Sequence, residues 1–423
     1  TLRLAAGADL MLGGPIRLGV ESTGYGRIEM NGGTLNFSAL DVGELGSGTV
    51  NVAAAGNVTA IDVRLGKTSG ELGEITITGE NSKVTASGSV TVGEYGNGKL
   101  DIREGGTFRQ AAQQLFHVAK SPGSTGEVMI GRGSLLESPS AVQLGGAPGM
   151  IGGDATMRIE RGGKLSTESE GQSGAIRVNE KGILEFVNSP AVEEASLVQT
   201  EAVFIQQGGL LKVSGVGEIR KVEPSPSPHA TTQVQNAGTI ELRGARLQRN
   251  DAIWRSGIES HSSSLYIDGD YNQSAAGALE LTGLNASHRL QPGSHLTSGM
   301  IVTGTATLDG TLELAFAQGY TPEIGDRFAI VSAQKIEGRI ATFDDAVVPN
   351  ATDRFLGLNY RRQGVGQEAI LEAITLRAPI RVAGSANSPN LILVTHGTNA
   401  NAYGWADDIA SSMGLHANQM GQQ

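Results

Sequence analysis

VGEYGNGKLDIREGGTF, residues 92–108, carries five glycines, yet Val92, Leu100, Ile102 and Phe108 sit among polar residues like the inward side chains of strands. The stretch is one copy of a repeat. Related units open with LGVESTGYGRIEMNGGTL at Leu18, VGELGSGTVNV at Val42 and LGKTSGELGEITITG at Leu65. Looser copies follow with VAKSPGSTGEVMIGRGSLL at Val118 and LGGAPGMIGGDATMRIERGGKL at Leu144. Successive starts lie 24, 23, 27, 26 and 26 residues apart. A fixed period of that length marks a stacked repeat architecture. Each unit holds three short alternating runs, such as SVTVG, KLDIR and GTF, separated by glycines. Alternation at period two with β-branched residues reads as strand. Three strands and three turns per unit make one coil of an all-β, parallel β-solenoid of about 25 residues. The turns Gly32-Gly33, Gly105-Gly106 and Gly162-Gly163 are its expected corners, where glycine takes φ > 0 or lets two backbones approach. A β-sandwich with glycine-rich hairpins is the competing fold, but it gives no reason to spell one repeat six times.

Composition narrows the function. The 423 residues include 61 glycines and no cysteine, with 4% aromatic and 18% charged residues. Thiolate metal sites and disulfides are therefore excluded. A net charge of −11 with no basic patch argues against nucleic acid. No run of 18 apolar residues is present, so no helical membrane span is expected. TLRLAAGADLML, residues 1–12, already alternates, with neither an initiator Met nor a leader, and reads as the start of a processed or excerpted chain. The balance of low charge with abundant Gly, Ser, Thr and Val suits an extracellular or cell-surface bacterial β-protein.

Three regions follow along the chain. Residues 1–263 carry the glycine-rich repeats. They loosen after about 170 and are interrupted by the Pro/Ser loop VEPSPSPHATT at 222–232, whose alternate prolines cannot join a ladder. AAQQLFHVA, 111–119, lacks alternation and reads either as a short helical excursion or as an ordinary rung with a poor match. Residues 264–378 form a second region. It contains GDY-x-Q-x(4)-G-x-L-x-L at Gly269–Leu281, G-x-A-x-L-x-G-x-L at Gly304–Leu312 and P-x-x-G-D-x-F-x-I-V at Pro322–Val331. That order resembles the C-terminal part of autotransporter-like passenger domains of bacterial surface proteins. The resemblance implies the closing coils of a right-handed β-solenoid, although no membrane barrel follows.

Residues 379–423 differ in texture. NLILVTHG, 390–397, is a continuous apolar run, and Trp405, Ile409 and Met413 fall on one helical face. Strand, His-Gly-Thr-Asn loop and helix resemble the opening of an α/β-hydrolase of the lipase or esterase kind. That resemblance implies an oxyanion-hole donor from Gly397, Thr398 or Asn399, with His396 bracing the loop. No G-x-S-x-G follows, so no catalytic residue is assigned, and a catalytic part would have to lie beyond Gln423.

Other candidates are weaker. Asp268 and Asp270 share a strand face and suit calcium or glycosidic chemistry, or simply a structural strand end. Asp344, Asp345 and Asp353 lack a calcium-loop frame, GMIGGDATM at 149–157 only brushes the calcium β-roll repeat, and Trp254 is expected under a loop. No metal site or cofactor is expected. The leading expectation is an extracellular structural or adhesive solenoid: a stalk, an adhesin passenger or a filament subunit. Its expected partners are further copies stacked end to end, or cell-surface or matrix glycans. The alternatives are a mount for a C-terminal serine hydrolase and, less favoured, a carbohydrate-active β-helix with paired carboxylates on adjacent coils.

Overall fold

The computed structural model describes residues 1–111, 114–147, 150–160, 162–169, 172–187, 195–221, 232–243, 264–290, 299–344, 348, 351, 354–361 and 369–377. The chain divides into two units, Thr1–Leu376 and Arg377–Gln423. The first is a parallel β-solenoid.

Three strands per coil stack into three ladders. The long sheet is built from the longest run of each early coil, as in the seven-residue strands Tyr25–Asn31, Ser47–Ala53, Leu72–Thr78 and Asn97–Arg103, and continues to Thr342–Asp344, thirteen strands among the described residues. The second sheet takes the strand after the glycine corner, as in Thr34–Asn36, Lys83–Ala86 and Thr107–Gln110. The third takes the short strand that follows, as in Ala39–Val42, Asp62–Leu65 and Val90–Val92. Successive long-sheet strands pair in parallel, so Ile75 lies over Val50 and under Leu100, and the register shifts once, between Leu281 and Leu284.

Alternation becomes burial directly. Ser47–Ala53 reads half-buried and buried by turns, with Val50 and Val52 inside and Thr49 and Asn51 outside. Inward residues of successive coils fall on the same spot, so the core is a set of columns rather than a ball. Phe108 lies between Val84 and Leu136 and meets Phe116 edge-on at 5.9 Å between ring centroids. The AAQQLFHVA stretch is thus a rung: Phe116–Val118 forms its third-sheet strand, and residues 112–113 lie outside the described set.

Thirteen levels among the described residues, at about 4.8 Å each, give a stack about 58 Å tall, fewer levels than even 25-residue coils would make of this length. The difference comes from coil length. Long-sheet strands begin 22 residues apart at Tyr25 and Ser47 but 39 apart at Thr239 and Ala278. The ladders continue across the change of texture at Ser264, since Val216–Arg220 pairs with Ser264–Ile267. The edge of the second sheet then closes. Arg327–Gly338 is covered on its outer side by antiparallel Ala369–Arg377, with Phe328 opposite Ala373. That sheet therefore lacks, at this end, the free parallel edge that head-to-tail stacking of copies requires.

The corner glycines divide into two kinds. Gly32, Gly33, Gly105 and Gly162 hold φ of 91°, 77°, 87° and 78°, the left-handed region. Gly106 and Gly163 do not, and their requirement is space: a Cβ at Gly163 would stand 2.4 Å from the Ile130 carbonyl oxygen of the coil beneath. Gly163→Ala is expected to lower stability by about 2 kcal/mol or more, because the obstacle is backbone. Gly13→Ala, with nothing within 4 Å of its Cβ, should change stability by under about 0.5 kcal/mol. Urea melts of the two variants check this contrast.

Candidate functional site

The three C-terminal motifs close coils. In Gly269–Gln273 the Tyr271 ring is buried; its hydroxyl donates to Gln273 Oε1 at 2.7 Å and accepts from Asn236 Nδ2 at 3.2 Å. Gln273 Nε2 in turn donates to the carbonyls of Asp309 at 2.6 Å and Thr311 at 3.0 Å, one coil above. Tyr and Gln at this spacing tie three successive levels through a buried corner, and burial raises the Tyr271 pKa above the ordinary phenol value. Tyr271→Phe is expected to cost about 1–2 kcal/mol by leaving Asn236 and Gln273 short of a partner. A thermal melt beside Tyr266→Phe, whose ring is only half-buried, reads that difference.

Asp268 and Asp270 are acceptors between coils. Asp268 Oδ1 accepts from Thr303 Oγ1 at 2.9 Å, and Asp270 Oδ1 accepts from the Thr305 backbone N–H at 2.7 Å. Space restricts Gly304 at this bend, since a Cβ there would come 2.7 Å from the Gly269 carbonyl oxygen of the coil beneath. Their chemistry is strand closure, with no arrangement across a glycosidic bond. Asp326 of the P-x-x-G-D-x-F motif holds its own turn: it accepts from the Glu323 N–H at 2.7 Å and from the Tyr320 hydroxyl at 3.2 Å, and pairs with Arg289 at 3.0 Å. Asp344 ends the long sheet opposite Glu313, while Asp345 and Asp353 lie outside the described residues. Among the described residues no group of three His, Asp or Glu side chains is placed to hold a metal ion.

The outside of the solenoid carries ion pairs that single-coil reading misses. Asp41, 1% exposed, accepts from Arg64 Nε at 2.6 Å and from Lys67 Nζ at 3.1 Å, both from the next coil. Lys67 also reaches Glu44 at 2.9 Å, and that hydrogen bond, with the Asp41 charge, raises the ammonium pKa despite burial. On the long sheet Arg158 bridges Glu127 and Glu185, and Lys212 adds a second partner to Glu185 at 3.0 Å. The one sequence signal was positional: Arg17, Asp41 and Arg64 each precede the last core residue of a third-sheet strand, so stacking lines them up.

His117 belongs to the same outward column, above Thr91 and below Gln143. Burial, helped by the Lys120 charge, pushes its pKa down to about 4. The unfolded chain binds a proton near pH 6.5 that the folded chain refuses until about pH 4, so stability falls as pH drops through that window. The loss is at most about 3 kcal/mol, from about 1.4 kcal/mol per pKa unit. His117→Gln should flatten this slope between pH 6.5 and 4, which melts at stepped pH would show as a stability difference that grows toward acid.

An open groove of about 1020 Å³ runs along the corner between the long and second sheets. Glu80, Glu104 and Glu160 line it with Lys83, Arg103 and Arg132, so both signs are present. The hydrolase-like loop, His396, Gly397, Thr398 and Asn399, lies outside the described residues, as do Trp254 and residues 222–231 of the Pro/Ser loop. Among the described residues no helix is long and apolar enough to cross a membrane.

Comparison with known proteins adds little. No family model matches the chain. No curated protein matches it either. Among solved structures, a TibC-catalyzed hyper-glycosylated fragment of TibA is similar at 12% identity, over 81% of this chain and 97% of its own, with a TM-score of 0.20. At that identity and score the likeness carries no further conclusion about this chain.

Proposed function

We propose that the protein is an extracellular structural and adhesive β-solenoid of a bacterial surface. The observation that carries this reading is the thirteen-level stack, each level joined to the next by parallel ladders, a shared core column and outward ion pairs. Its inward side chains hold coil on coil, which suits an element that spans distance and presents a long surface. The autotransporter-like motif order at 264–373 supports the cell-surface setting, and the glycine-rich, weakly charged composition agrees with it.

Partners of such a surface are glycans or matrix protein. Beads coated with the full chain should be retained on glycan- or matrix-coated surfaces above albumin-coated beads. Retention equal to the albumin control would remove the adhesive half of the reading and leave the structural half to stand on the fold.

A further inference from the structure

The central outward column of the long sheet changes character along the stack. In its earlier part the carboxylates have cations beside them. Glu29 meets Arg3 at 2.6 Å, Asp101 meets Arg103, and Glu185 meets Arg158 at 2.9 Å and Lys212 at 3.0 Å. Above Lys212 the register continues with Glu241, Glu280, Glu313 and Asp344, four acidic residues on successive levels with no cation between them in the column. Their Cα atoms stand about 4.8 Å apart. Like charges at that spacing repel, the more so where part of the surroundings is protein and not water.

Glu280 is the centre of this run, and it is half-buried. From the strand beneath, Thr239–Arg243, it faces Glu241, and Arg243 at the next outward position is already engaged by Glu241 at 2.5 Å. From the strand above, Thr311–Phe316, it faces Glu313. Its own strand, Ala278–Leu284, carries no other charge. Among the described residues no cation pairs with Glu280 or Glu313. Burial first, and then the charges of Glu313 and Glu241, raise the Glu280 pKa above the ordinary carboxylate value.

We propose that Glu280 is an acid-sensitive clasp of the closing coils: as pH falls from neutral it takes up a proton, repulsion in the column drops, and the levels from Thr239 to Phe316 hold one another more tightly. The folded chain keeps this proton at a pH where the unfolded chain has already released it. Stability is therefore gained as pH falls toward the ordinary value of 4.5, and lost as pH rises from there through the folded value. His117 responds in the opposite sense, since its burial makes acid costly. Each coil touches only its neighbours, so acid loosens the levels around Phe116–Val118 while it tightens the closing ones. The clasp needs only the ladder register and is independent of adhesion.

Hydrogen exchange of the full chain is the test, with each rate taken relative to the unfolded chain at the same pH. Protection of Leu279–Leu281 and Leu312–Leu314 should rise at least about threefold between about pH 7 and about pH 5. In Glu280→Gln, a neutral side chain of the same shape, protection there should already be raised at neutral pH and should no longer respond to acid. Glu185→Gln removes a carboxylate that does have cations, and should lower protection of its own strand at neutral pH. Closing coils whose protection is flat or falls in acid overturn the proposal, and this arm needs no variant. So does a Glu280→Gln chain that keeps the wild-type pH response. Equal gains in Glu280→Gln and Glu185→Gln also overturn it, because they would trace the effect to the net charge of −11 and not to the column.

Discussion

Phe108→Ala is expected to lower stability by about 3–5 kcal/mol, the largest single effect in the molecule. The ring is fully buried, stacked between Val84 and Leu136, and set edge-on against Phe116. Its removal leaves a cavity walled by backbone ladders on three sides, which cannot collapse without separating coils. Because each coil touches only its neighbours, the damage is expected to stay near the fourth to sixth levels. Hydrogen exchange should show faster exchange at Leu100–Arg103 and Val128–Ile130 while Ile240–Leu242 stays protected. Uniform loss of protection along the chain would mean that the stack unfolds as one unit.

Asp41→Ala is expected to cost about 2–4 kcal/mol. The carboxylate is buried, and its loss leaves Arg64 and Lys67 facing each other across the vacated space. Those two heads are about a third exposed, so water relieves part of the repulsion and keeps the cost below that of a sealed pair. The double variant Asp41→Ala/Arg64→Ala separates the pair from the rest. A coupling of about 1–2 kcal/mol in denaturant melts supports direct pairing. A coupling near zero would show that Asp41 acts through packing alone.

Much of this architecture is legible in one coil of sequence. Leu100, Ile102 and Phe108 alternate with polar residues, and all three are buried. The glycine pairs fall at corners, and the reason for the second glycine at Gly106 and Gly163, space and not φ, needs the coil beneath to be seen. AAQQLFHVA read ambiguously because Phe116 and Val118 are only two inward positions, too few to show a period. The ion pairs were invisible for a different reason. Asp41 and Arg64 are 23 residues apart, and only the register of the third sheet brings them together. In the same way the partners of Asp268 and Asp270, Thr303 and the Thr305 N–H, lie one coil above and cannot be read from the strand that carries the two carboxylates. The stacking register is thus the information that a single coil lacks.

That register is also the most direct thing to measure. Asn51 and Thr76 are paired on adjacent levels of the long sheet, and Met129 sits in the same outward column two levels above Thr76. Cα atoms about 4.8 Å apart accept a disulfide, and those about 14 Å apart do not. In a chain free of other cysteines, Asn51→Cys/Thr76→Cys should close an intramolecular disulfide on oxidation, and Asn51→Cys/Met129→Cys should remain reduced. Closure of the second pair with an open first pair would contradict the solenoid and require a different fold.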